Sequence, residues 1–220
     1  MKKAIVVLVG LMGLAAPAAA GQPVAIVEEV QGKVTGVEFM DYVATGKIIK
    51  LGPTGSIVLS YMRSCWRETI TGIGTVIVGT DESMVHLSEV KAAKTDCDAD
   101  HSHRTTLETS DVAATVFRSM ATGVSITPQV TLYGASPFVE AKGRGTLIVD
   151  RVDVKGERQE IPLSGSQLRG RFFDFASASK SLTPGGTYAA TFGSSRMVFR
   201  IDPQAKSGAT PIVGRLLRME

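Results

Sequence analysis

A chain of 220 residues, 44% of them hydrophobic and 20% charged, has the length for one large or two small domains and enough apolar content for a packed core, which excludes disorder of the whole. The formal charge of +3 includes Lys2 and Lys3; without them 22 basic residues face 21 acidic ones, so bulk charge gives no support to nucleic-acid binding. Asparagine is absent, which rules out a Cys-His-Asn catalytic set and leaves the turns to 23 glycines with Asp, Ser and Pro.

Residues 1–20 read MKKAIVVLVGLMGLAAPAAA: two lysines, an apolar run from Ala4 to Ala16, and a small-residue site at Ala18 to Ala20. This is the three-part pattern of a secretory signal peptide, with cleavage expected after Ala20. The run of about 13 residues falls short of the roughly 20 that span a bilayer. The sequence therefore predicts an exported chain, periplasmic or secreted, with no membrane span after cleavage.

From residue 21 to 104, short β-branched runs alternate with glycine turns. Val24 to Val30, Lys33 to Val37, Lys47 to Leu51, Ser56 to Met62, Glu68 to Ile70, Thr75 to Val78 and Met84 to Leu87 read as strands, with a polar break at Asp41. In Ser56 to Met62 the alternation of Ile57, Leu59 and Tyr61 with Ser56, Val58 and Ser60 predicts a half-buried strand. The set suggests a compact sandwich or barrel-like roll.

Gly32-Lys-Val, Thr45-Gly-Lys-Ile and Leu51-Gly-Pro-Thr-Gly-Ser-Ile-Val-Leu, followed by strands punctuated with glycine, resemble the periplasmic domain of the FecR-like family, the ferric citrate regulators, over residues 24–93. The resemblance implies a β-roll. Through the family's best-known members it also implies relay of an outer-membrane signal to an inner-membrane partner. The phrases GVEFMDY and RSCWRETITG are similar to those of small exported alphaproteobacterial proteins.

Where the resembled family has a plain hairpin, this chain has Met62 to Glu68, with the single tryptophan, Trp66, beside Cys65. Arg63, Trp66 and Arg67 form a candidate binding loop, because tryptophan and arginine carry much contact for little lost freedom. That reading requires Trp66 partly exposed and both arginines without intramolecular partners; the competing reading makes Trp66 a core residue. Cys65 and Cys97 are the only cysteines, and an even count in an exported chain favours a disulfide. The alternative is a metal site, since Cys97 sits in TDCDADHSH with His101 and His103. Zinc would need a further ligand pair, and calcium the glycine and distal glutamate of its loop.

Residues 105–127 are expected to be a helical connector and linker, with a Thr105/Glu108 cap and an apolar stripe through Val112, Val116, Phe117 and Met120. Residues 128–202 hold about seven apolar runs: 130–133, 138–140, 146–152, 160–163, 167–175, 188–192 and 197–201. Their regular spacing predicts an immunoglobulin-like sandwich. Leu182 to Tyr188 resembles the leucine-proline-tyrosine turn of fibronectin-type domains, in which the tyrosine hydroxyl bonds back to nearby backbone. Residues 203–220 read as a flexible tail that Ile212, Val213, Leu216 and Leu217 could dock.

No nucleophile elbow, metal-binding His helix or phosphate loop with its lysine occurs. The expectation is a non-enzymatic, mainly β protein with no cofactor and no metal. Its partner would be an envelope protein or cell-wall component rather than nucleic acid, with a role in FecR-like signalling as the alternative.

Overall fold

The computed structural model describes residues 22–100, 127–141 and 143–219. The expected export segment of residues 1–20, the connecting helix expected between Thr105 and Met120, and His101 and His103 lie outside these residues. What is described is mainly β: eighteen strands and one 3₁₀ turn.

The first half supplies β1 (Pro23–Gln31), β2 (Val34–Thr35), β3 (Tyr42–Ala44), β4 (Ile48–Leu51), β5 (Ser56–Tyr61), β6 (Trp66–Thr71), β7 (Gly74–Val78), β8 (Ser83–His86) and β9 (Glu89–Lys94). They pair into two antiparallel sheets, ordered β3-β1-β5-β6-β9 and β2-β4-β7-β8. Strand alternation places Ala25, Val27, Ile57, Leu59, Tyr61 and Ile70 of one sheet against Ile49, Leu51, Val76 and Val78 of the other, making one apolar core. Gly32, in the left-handed region at φ +63°, lets the turn after β1 meet the turn before β5: a Cβ there would lie 2.0 Å from the Thr54 carbonyl oxygen.

Two strands were not expected. Tyr42–Ala44 lies just past the polar break at Asp41 and is held by β1. Glu89–Lys94 has a composition poor in strand formers, and backbone pairing with β6 holds it extended.

The second half supplies β10 (Val130–Gly134), β11 (Phe138–Ala141), β12 (Gly145–Arg151), β13 (Arg158–Leu163), β14 (Leu168–Arg169), β15 (Phe172–Asp174), β16 (Thr187–Phe192), β17 (Ser195–Lys206) and β18 (Leu216–Met219). The sheets β10-β17-β16-β12-β13 and β14-β15-β11-β18 face each other across a second core built on Leu147, Val149, Phe173, Phe175, Tyr188, Phe199 and Leu217. This is a β-sandwich with the strand order of the immunoglobulin-like class. The expected turn is present: the Tyr188 hydroxyl accepts the Thr183 N–H at 2.9 Å and donates to Glu157 Oε1 at 2.9 Å.

Two expectations need correction. The run 167–175 is a hairpin, broken at Gly170 (φ +65°) and paired Leu168 to Phe173. Nor are residues 203–219 a flexible tail: Ile212, Val213, Leu216 and Leu217 dock, as their apolar character allowed. β17 continues through Pro203 because its pairing with β10 shifts register there, so no ladder bond is asked of the proline. β18 then pairs parallel with β11 and is buried at all four positions.

That double burial identifies the contact between the halves. On β18, Leu217 and Met219 face the second core, while Leu216 joins Phe138, Phe172, Ile26 and Met40 in a cluster drawn from both halves. β5 is likewise buried on both faces rather than one: Ile57, Leu59 and Tyr61 face its own core, and Val58 and Ser60 are buried on the other side. Met62, just past it, packs against Val213 of the 3₁₀ turn.

Candidate functional site

Cys65 and Cys97 form a disulfide, with Cα atoms 5.7 Å apart. Both pack beside Met62 and Val213, so the bond lies under the contact between the halves. It commits the sulfur that the metal alternative needed as a thiolate. Among the described residues no three His, Cys, Asp or Glu side chains converge to hold a metal. A disulfide belongs to an oxidising compartment outside the cytoplasm. No helix among the described residues is long and apolar enough to cross a membrane.

The loop from Arg63 to Glu68 does not present free cations. Arg63 makes a two-pronged pair with Asp81, Nη2 to Oδ2 at 2.8 Å and Nε to Oδ1 at 3.0 Å. Arg67 Nε donates to Glu28 Oε2 at 2.9 Å, and Glu28 is almost wholly buried. The requirement that both arginines lack partners is therefore not met, because the sheet brings β1 and the turn before β8 alongside them. Trp66 is half-buried, packed against the first core with Lys94 Nζ 5.2 Å from its ring.

Buried charge concentrates where the halves meet. Glu140 is fully buried. The Tyr42 hydroxyl donates to its Oε2 at 2.7 Å, and Arg171 and Arg218 lie 2.6 and 3.8 Å from its oxygens. The Arg171 contact is close but not aligned as a hydrogen bond, so Oε1 keeps acceptor capacity unused. Burial first, then the Glu140 charge, hold the Tyr42 hydroxyl well above its ordinary pKa despite Arg218, so it stays a donor. Each member of this set has a structural partner, and none is arranged as a nucleophile beside a base.

Exposed apolar surface is concentrated on the first half. Five of the six large exposed hydrophobics, Ile48, Ile73, Met84, Leu87 and Val90, lie there. Ile48 and Met84 flank Ile77 across β4, β7 and β8. Ile73 and Leu87 sit in adjoining turns, joined by the Ser88 hydroxyl donating to the Gly72 carbonyl at 3.3 Å. Leu87 is 91% exposed and left-handed at φ +67°, a conformation that costs a branched residue energy. β9 next to it ends its sheet with all six residues exposed. The sequence predicts Leu87 as the last residue of a strand, because it extends the apolar run from Met84, and predicts no strand at β9, whose Lys/Ala-rich composition is poor in strand formers; the structure ends β8 at His86 and puts Leu87 in the turn. The signal available was an apolar residue, Leu87, standing where a polar turn residue is usual.

No family model, curated protein or solved structure matches the chain.

Proposed function

We propose that this is an exported, non-catalytic envelope protein of the periplasm that binds another protein at the corner where β8, the edge of one sheet, leads into β9, the edge of the other. The single observation that carries the reading is the pairing of an open strand edge, β9, with an apolar tip at Ile73 and Leu87, 58% and 91% exposed. An open edge offers N–H and C=O groups in register for an added strand, which favours a polypeptide over a cell-wall polymer as the partner. Apolar residues beside such an edge supply the anchoring contacts, and a large side chain held exposed at backbone cost fits a recognition role better than a folding one. The signal-peptide pattern of residues 1–20 and the disulfide support the periplasmic assignment.

The test is site-specific photocrosslinking in cells, with the probe at Ile73 and a control probe at the exposed Val154 of the second half. The expected result is a discrete adduct from Ile73 that Leu87→Asp abolishes. No adduct, or the same adduct from Val154, overturns the reading. An adduct with an inner-membrane sensor assigns the protein to the signalling role that the FecR-like resemblance implies; an outer-membrane protein assigns it to a structural one.

A further inference from the structure

The hairpin β14–β15 meets the turn before β3 across the boundary between the halves, leaving a cleft of about 290 Å³ lined by Phe39, Met40, Asp41, Arg169, Arg171 and Phe172. Its floor is apolar: Met40 and Phe172 are 4% and 2% exposed. The Arg169 guanidinium lies 4.2 Å from the Phe39 ring centre. Stacking occupies the face of a planar cation and leaves its in-plane N–H donors directed outward. Among the described residues no carboxylate pairs with Arg169. Arg171 is engaged by Glu140 at 2.6 Å, and the Asp41 carboxylate accepts the N–H of Glu38 at 2.7 Å.

The backbone is shaped for this arrangement. Gly170, at φ +65° with nothing within 4 Å of where a Cβ would stand, is demanded by turn conformation rather than by space, and it sets Arg169 and Arg171 on either side of a tight turn. Met40 is left-handed at φ +67°, and its N–H donates to the Val27 carbonyl at 2.7 Å, which presses the side chain into the floor. Left-handed residues of this kind recur at ligand clamps, and clefts between packed units are favoured ligand positions.

We propose that this cleft binds a small organic carboxylate with an aromatic or aliphatic body: the carboxylate on the Arg169 fork, the body against Phe39, Met40 and Phe172. The volume lies at the low end of ligand clefts, about 300 Å³ upward, so the occupant is one small molecule or one terminal residue rather than a polymer. The site is separate from the β8–β9 surface and stands whether or not that surface binds protein.

The test is a titration of the disulfide-bonded mature chain with phenylacetate, N-acetylphenylalanine, inorganic phosphate and the neutral phenethyl alcohol, read on the Met40 methyl resonance. Phenylacetate is expected to shift that resonance saturably. Arg169→Gln, at an exposed position with melting temperature unchanged, is expected to weaken binding at least about tenfold, since charge-assisted bonds to carboxylate are the strong ones. Tighter binding of N-acetylphenylalanine than phenylacetate identifies a peptide C-terminus as the source, and weaker binding a free acid. Absence of a saturable shift, equal affinity in Arg169→Gln, or phosphate or the alcohol binding as tightly as phenylacetate, overturns the proposal.

Discussion

The backbone N–H of Val213 donates to Glu28 Oε1 at 3.0 Å, across a separation of 185 residues. The second oxygen of the same carboxylate accepts Arg67 Nε at 2.9 Å. One buried acid on the first strand thus holds both β6, the next strand but one in its own sheet, and the turn that leads into the last strand. Glu28→Ala should leave a buried N–H and a partly buried guanidinium without their acceptor, at a cost of about 2–4 kcal/mol. A melting temperature lowered by several degrees is the expected reading. Arg63→Ala, which removes a pair between two exposed side chains, should leave the melting curve unchanged within error. Equal losses in the two variants would show that the Glu28 bridge carries no special weight.

The disulfide closes a sequence separation of 32, for which loop-closure entropy gives about 3–4 kcal/mol of stabilisation. Reduced protein, or the Cys65→Ser/Cys97→Ser double variant, should unfold at correspondingly lower urea. Unreduced protein should yield no alkylatable thiol. Because both cysteines lie beside Val213, amide exchange near residue 213 should accelerate in the double variant, even though that residue belongs to the other half.

Tyr188→Phe keeps the ring that stacks on Phe199 but removes the hydroxyl that serves Thr183 and Glu157. The expected loss is about 0.5–1.5 kcal/mol, the net worth of one partly buried hydrogen bond. Urea unfolding measures the loss, and faster hydrogen exchange at Thr183 localises it. A loss without faster exchange at Thr183 would place the effect elsewhere in the core.

Asp174 provides the clearest pH dependence. Burial pushes its pKa up, but the hydrogen bond and charge of Arg215 at 2.6 Å, with the Ser177 hydroxyl and the Ala176 N–H, outweigh burial and hold it below the ordinary 3.8. A depressed folded-state pKa contributes stability that is fully present above the unfolded value and is lost as pH falls through the folded one. Unfolding free energy should therefore decline below about pH 4. Asp174→Asn should be less stable at pH 7 and show a shallower acid slope. An unchanged slope would assign acid sensitivity to other carboxylates.

What the sequence determined by itself is what local chemistry encodes. Alternation and glycine turns located most of the strands because side-chain period and backbone φ are properties of a few consecutive residues. Tyr188 was legible as a corner because its partner Thr183 is five residues away, and the disulfide because the two cysteines of a chain expected to be exported allow a single pairing. Tertiary structure decided the rest. Alternation along Ser56 to Tyr61 reports one buried face, and only the folded chain, in which β5 meets the 3₁₀ turn of the second half, shows Val58 and Ser60 buried as well. The last strand was unreadable from its own composition because what orders it, the edge of β11 and the apolar cluster around Ile26 and Phe138, comes from far earlier in the chain. The loop at Arg63 to Glu68 looked open for the same reason: the acids that engage it, Asp81 and Glu28, lie 18 and 39 residues away, and the Tyr42 to Glu140 contact spans 98. Charge pairing acts through space, so a sequence shows which ions are present, while only the folded chain decides which remain free to meet a partner.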